Sequence, residues 1–391
     1  MPCSDSTQPR EHMRPPNLTS ISRNLRWVAG FVAILLAGNH LMLAADGGSS
    51  GPDSKRARDD LDALPAFQPG PQMPGVIRQF GSKMRGMMKA WEEGFRQYHP
   101  EIRFEDVFHE ASGIAGLYTN IAEIGTSGRE PVLTEYFSFF ETFRYLPTEI
   151  TVATGAFDVQ GASYGLVVFV NKDNPLTQLT MKQLDGIFGA ERTGGYKDLR
   201  WVPEAARGPE DNIRTWGQLG LTGEWADKPI HTYVYALTGM RVTFQQKVFH
   251  GGEKWNPGYR EYVETGTKQV ADDSLTIKAM LTELSTDKFG IAWTGLGQAK
   301  RFPQLRPIAL AEKEGGPYLT PSAENFRDRT YPLIRSLYFF INRKPGEPVD
   351  PKVKEFVRYV LSREGQAAVT KNGTYFSLPA ATAQVELKKI E

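Results

Sequence analysis

Residues 165–192, GLVVFVNKDNPLTQLTMKQLDGIFGAER, constrain the fold of this chain more than any other stretch. Leu166-Val167-Val168-Phe169-Val170 is a short, continuous β-branched and aromatic run, which predicts a strand covered on both faces, as in a parallel sheet. Pro175 forces Asn174 out of the helical region, so Asn171 to Pro175 reads as a turn. Thr180 and Gln183 have capping-box spacing. Leu184, Ile187 and Phe188 then share one helix face, and Gly189 ends the helix. Strand, turn and capped helix in succession make an α/β unit.

The chain around this unit has 391 residues, 40% hydrophobic and 23% charged, enough for one large domain or two to three ordinary ones. Its N-terminus reads as an export signal. Arg23 and Arg26 precede an apolar run from Trp27 to Leu43, and Ala44-Ala45 follow, so residues 1–45 are expected to leave as a signal peptide. An uncleaved membrane anchor is the alternative. The only cysteine, Cys3, would leave with the leader, which removes disulfides, thiol nucleophiles and thiolate metal sites from the mature chain. Losing residues 1–45 takes 46 basic against 45 acidic residues to 42 against 43, a formal charge of −1. Such a balance gives no support for nucleic acid or a membrane surface as partner. Residues 46–74, rich in Gly, Pro, Ser and charge, read as a flexible tether.

After the tether, three places share one grammar: an extended stretch, a Gly with Ser or Thr, then a helix. Val76 to Phe80 leads to Gly81-Ser82, followed by the stripe Met84, Met88, Trp91, Phe95, Tyr98. Ile102 to Val107 leads to Ser112-Gly113, followed by Ile114, Leu117, Ile121 and Ile124. Thr232 to Tyr235 leads to Thr238-Gly239, followed by Phe244, Val248 and Phe249. Ser and Thr are ordinary N-caps, each worth about 1 kcal/mol. Three together permit a sharper reading, since helix starts expose unpaired N–H groups and a partial positive charge. Converging helix starts with hydroxyls can bind a tetrahedral oxyanion without any lysine.

These residues resemble the solute-binding proteins of phosphate ABC importers. The "VN-x-x-NPL, LT-x-x-QL-x-x-IF" wording of residues 170–188 is similar to theirs, and the three hydroxyl positions match that family's ligand loops in order. Glu123 to Glu130, EIGTSGRE, resembles the family's "DIG…SR" loop and keeps its Arg as Arg129. Gly290-Ile291-Ala292-Trp293, Tyr331 to Tyr338, Asp350 to Gln366 and Phe376 to Pro379 continue the resemblance to the C-terminus. The resemblance implies an α/β, two-lobed type II periplasmic binding protein fold, each lobe a mixed sheet flanked by helices, joined by two crossing strands. Lobe 1 would use 75–162 and 336–391, and lobe 2 would use 163–335. It implies phosphate or a related oxyanion held between the lobes by Gly81, Ser82, Ser112, Gly113, Ser127, Arg129, Thr238, Gly239 and Arg241. It also implies a periplasmic or secreted monomer that delivers its ligand to an ABC permease, with no catalysis, no cofactor and no metal. A receptor or sensor for another small solute in the same fold remains the alternative.

The departures from the family pattern sit in the ligand loops. Where members usually carry "SGT", this chain has Thr238-Gly239-Met240, so a hydroxyl becomes a thioether. Where well-known members carry an Arg and a proton-accepting carboxylate, this chain has Val234 and Gly128. Discrimination of phosphate from sulfate is therefore expected to be less sharp than in those members. Gly161-Ala162-Ser163-Tyr164-Gly165 matches the hydrolase elbow G-x-S-x-G, but the elbow needs a strand before and a helix after, whereas here a strand follows. A serine hydrolase using Ser163 is the remaining, disfavoured reading. The aromatics Tyr136 to Tyr145 are expected to pack core.

Overall fold

The computed structural model describes residues 61–108, 112–236, 238–263 and 274–391. The expected signal peptide at 1–45 and the first part of the expected tether lie outside the described residues. Among the described residues no helix is long and apolar enough to cross a membrane.

Two five-stranded mixed sheets form the two lobes. The first has the order β2-β1-β3-β14-β4, with β1 Gly75–Gly81, β2 Ile102–Phe108, β3 Ile124–Ser127, β4 Thr148–Thr154 and β14 Ser336–Ile341. The second has the order β10-β9-β11-β5-β12, with β5 Val167–Asn171, β9 His231–Tyr235, β10 Arg260–Tyr262, β11 Gly290–Thr294 and β12 Leu305–Pro307. Two small pairs complete the second lobe: β6 Gln178–Thr180 with β13 Ala309–Ala311, and the hairpin of β7 Gly195–Lys197 with β8 Arg200–Val202. The chain passes between lobes twice, through 155–166 and 331–335. The two crossings are bonded to each other, Gly155 N donating to Arg335 O at 2.8 Å and Leu166 N to Leu333 O at 2.9 Å.

β5 is wholly buried, as its apolar run predicts, but it is antiparallel to both β11 and β12, not part of a parallel array. β14 likewise lies antiparallel between β3 and β4. Both strands follow a crossing and start at the end where β3, β4 and β11 finish, so they must run the other way.

The capping box forms: Gln183 N donates to Thr180 Oγ1 at 3.1 Å and Thr180 N to Gln183 Oε1 at 2.9 Å, opening the helix Met181–Phe188. Leu184, Ile187 and Phe188 are fully buried. Three other expectations are corrected. After Gly81-Ser82 the helix is delayed to Met87–Arg96, because Met84 and Arg85 take φ of 47° and Gly86 is left-handed. The helix after Ser112 spans only Gly113–Tyr118; Asn120 turns left-handed, Ile121 is exposed and Ile124 belongs to β3. Residues 61–74 are not a loose tether. Leu64 and Phe67 enter the core, Phe67 N donates to Glu364 and Gly70 N to Glu355, both at 2.6 Å. The Phe67 ring stands edge-on to Tyr98 at 5.1 Å and Tyr359 at 5.3 Å, and Leu61 and Met73 pack against the same core. Of the aromatic run, Tyr136 and Phe139 are buried with Phe143 and Tyr145 beside them, while Phe137 is half exposed.

The helix Met87–Arg96 buries a carboxyl. Glu92 is 2% exposed; Gln79 Nε2 donates to Glu92 and to Asp106, each at 3.0 Å. Burial, then the neighbouring Asp106 carboxylate, pushes the Glu92 carboxyl up to about 7, against the pull of Arg96. The folded state therefore keeps a proton here that the unfolded chain releases at a lower pH. Folding stability is highest on the acid side of this window and falls as pH rises from about 4.5 to about 7. Glu92→Gln is expected to flatten that slope by ~2 kcal/mol between pH 5 and 8, read as unfolding free energy at each pH.

Candidate functional site

The cleft is walled on one side by loops at the carboxyl ends of β1 and β3. A Cβ at Gly81, whose φ is 124°, would come within 2.2 Å of Thr126 O, and one at Gly113 within 2.6 Å of the same oxygen. Glycine at both positions lets the two loops close onto the end of β3. Ser82 N donates to Thr126 O at 3.1 Å, and Thr126 Oγ1 to Ser82 O at 2.8 Å. The Ser82 hydroxyl accepts from Met84 N at 3.2 Å, so it closes its own turn and caps no helix. Ser112 does stand at a helix start, yet its hydroxyl makes no cap bond. That hydroxyl is buried beside the Glu135 carboxylate without a hydrogen bond of proper geometry. Ser127 Oγ donates to Arg129 O at 2.9 Å and accepts from Arg129 N at 3.2 Å, shaping the turn that carries Gly128.

Arg129 is held by Glu135 as a fork, Nη1 to Oε2 at 2.8 Å and Nη2 to Oε1 at 2.6 Å. Burial alone would raise the Glu135 carboxyl, but Arg129, the Val132 N–H and the Ser112 hydroxyl outweigh it and hold it below its usual range. Arg129 thus enters the cleft already neutralised.

The opposite wall is the helix Thr238–Val248, which follows β9. The Thr238 side chain lies outside the described residues. Gly239 faces the other lobe: a Cβ there would stand 3.2 Å from Arg335 Nη2 and 3.7 Å from Arg129 Cδ. Arg241, expected in the site, is turned away. It pairs with Glu261, donates to Tyr259 OH at 3.2 Å, and lies 4.9 Å from the Trp255 ring. Its aromatic and acidic surroundings within the second lobe outcompete the cleft for that cation. Met240 is buried too, its sulfur accepting from Tyr164 OH at 3.1 Å.

Arg335, to which the sequence motifs assign no site role, is a buried cation at this junction. It is 6% exposed, its Nη2 donates to Gly128 O at 2.7 Å, and its Nε has no partner. Burial pulls its pKa down and Glu130 pulls it back up. Both oxygens of Glu130 are already engaged, Oε2 by Thr243 Oγ1 at 2.7 Å and Oε1 by Tyr338 OH at 3.3 Å. A signal for Arg335 existed: it is the lone cation in the mostly apolar run Tyr331 to Ile341, where an unpaired charge is expensive to bury. The Thr243–Glu130 bond joins the two lobes, and Leu199, between β7 and β8, packs on the Tyr136 and Phe139 cluster of the first lobe. The lobes are therefore closed on one another. Ser163 lies in the first crossing, after the turn at Gly161 and with no helix behind it, so the elbow's strand–turn–helix setting is absent. Among the described residues no three His, Cys, Asp or Glu side chains cluster as a metal site.

A family model described as a PBP superfamily domain matches residues 87–364. The phosphate-binding protein PstS of Pseudomonas aeruginosa is 30% identical over 331 residues, covering 84% of this chain and 91% of the relative. The phosphate-binding protein PstS of Staphylococcus aureus is 23% identical over 234 residues, 59% of this chain and 58% of that one. Among solved structures, an ABC-type phosphate transport receptor from Vibrio cholerae is similar over 78% of this chain and 100% of its own, at 18% identity and a TM-score of 0.47. The family match spans most of the chain, and the Pseudomonas relative is aligned over nearly its whole length: this chain belongs to the PBP superfamily, in the family of the PstS phosphate-binding proteins.

Proposed function

We propose that this protein is a solute-binding protein that captures phosphate or a related oxyanion between its lobes and delivers it to an ABC permease. The observation that carries the reading is Arg335, a buried guanidinium with an unpartnered Nε at the start of the helix Thr238–Val248. A buried cation with an unsatisfied N–H is costly, and an anion in the cleft relieves that cost. The helix start at Gly239 adds backbone N–H groups without intrahelical partners. The ligand set so proposed is Gly81, Ser82, Ser112, Gly113, Ser127, Thr238 and Gly239 with Arg335, while Arg129, paired with Glu135, only borders the cleft and Arg241 takes no part. Export through a cleaved leader, action as a monomer in the periplasm or outside the cell, and binding without chemistry complete the proposal. Names of the PstS relatives support the ligand class.

Closure is a population shift driven by the ligand's differential affinity for the two arrangements. Calorimetric titration of the purified protein with phosphate, arsenate, sulfate and molybdate tests the reading. Saturable heat at one site per chain with at least one of them is expected. Silence with all four would sink it.

A further inference from the structure

The first crossing presses two neighbouring residues against the two ligand walls. Tyr164 faces the second lobe and spends its hydroxyl on the Met240 sulfur. Ser163 faces the first. A Cβ at Gly128 would lie 1.8 Å from Ser163 Oγ and 2.8 Å from Ser163 Cβ, so position 128 has no room for a side chain while Ser163 stands there. Gly128 is also the residue whose carbonyl accepts from Arg335, so the Ser163 hydroxyl and the buried guanidinium border the same residue. Its backbone is fixed there: Ser163 O accepts from Ala156 N at 2.8 Å, and a Cβ at Gly155 would meet Ser163 O at 2.5 Å and Arg335 O at 3.1 Å. The Tyr375 phenol, 4% exposed, lies beside both the backbone and the hydroxyl of Ser163.

The carboxylates nearby are committed. Glu135 is bound by Arg129 through both oxygens, and Glu130 by Thr243 and Tyr338. A hydroxyl differs from a carboxylate in one respect that matters here. It donates to a bare anion oxygen or accepts from a protonated one by rotating a single bond, whereas a carboxylate only accepts.

We propose that Ser163 is the specificity-determining residue of the cleft, its hydroxyl standing where a side chain at position 128 would otherwise reach the anion. The site then takes tetrahedral oxyanions whether or not they carry a proton, and phosphate and sulfate bind comparably. This rests on the oxyanion reading given above.

The test is titration of the wild type, Ser163→Ala and the double variant Gly128→Asp/Ser163→Gly with phosphate and with sulfate, at pH 6 and pH 8. Ser163→Ala is expected to weaken both anions about tenfold or more, as for a lost hydrogen bond to a charged group. The double variant opens the space at 128 for a carboxylate. It is expected to favour phosphate over sulfate by about a hundredfold more than the wild type does, and more strongly at pH 6. Gly128→Asp alone, with Ser163 in the way, is expected to bind neither anion well. Wild-type binding that Ser163→Ala leaves within about twofold would overturn the role of Ser163 and leave the oxyanion reading standing. A folded double variant, checked by its thermal transition, with the wild-type selectivity would overturn it as well. No binding of any oxyanion by the wild type overturns both.

Discussion

With Arg335 replaced by methionine, phosphate affinity is expected to fall about a hundredfold or more, ~3 kcal/mol, because the anion loses its buried charged donor. The same substitution should leave the empty protein as stable as before, or more so. A buried guanidinium with an orphan Nε carries an uncompensated desolvation cost that methionine of similar length does not. The opposed signs distinguish a ligand contact from a structural residue: calorimetry reports the lost affinity, and thermal unfolding without ligand reports the unchanged or raised stability. Arg335→Lys is expected to recover only part of the binding, since an ammonium cannot offer the fixed fork. Arg241→Met should leave affinity within about threefold, because that guanidinium is committed to Glu261 and Tyr259 outside the cleft. Equal losses at 335 and 241 would mean that the cleft rearranges around a different cation.

Asp185→Ala is expected to destabilise the protein by about 3–5 kcal/mol, the usual cost of stripping the counter-ion from a buried cation. Asp185 receives both Nη groups of Arg192, with Nη1 at 2.7 Å, and sits 3.8 Å from Arg207 Nε. Both arginines have side chains no more than 5% exposed. Arg192 Nε is tied to Ala205 O at 2.7 Å and its guanidinium lies 5.7 Å from the Phe249 ring centre, so it cannot swing out to water. The carboxylate therefore fastens the long 190–215 excursion to the helix Met181–Phe188. Equilibrium urea unfolding is the measurement, with phosphate absent so that ligand linkage does not mask the change. A loss below about 1 kcal/mol would show that both arginines find water.

Much of the architecture is legible in local sequence. The Thr180–Gln183 box, the apolar run of β5 and the Thr238 helix start each depend on residues within a few positions, and each appears where the sequence puts it. What failed depended on partners far along the chain. Ser82 looks like a cap until Met84 and Arg85 turn left-handed. Leu64 and Phe67 look like strays in a linker until Tyr98, Tyr359 and Glu364 are brought to them. The two arginines illustrate the limit best. Arg241 sits beside the right motif, but an acid and two aromatic residues from 255–261 claim it. Arg335 lies nearly a hundred positions further on, and only the second crossing brings it to Gly239 and Gly128. Side-chain charge is visible in a sequence; what it faces is not.

The place of β14 in the first sheet has a kinetic consequence. All strands of the second sheet come from one continuous stretch, Val167 to Pro307, so that sheet can form as soon as the stretch exists. The first sheet cannot. β14 separates β3 from β4, and it is made only after the whole second lobe has been synthesised. Until Ser336 to Ile341 arrives, β4 has no neighbour, and joining it closes a loop as long as the second lobe itself. Completion of the first lobe is thereby the last act of folding, and a chain cut short before Ser336 leaves its sheet in two pieces.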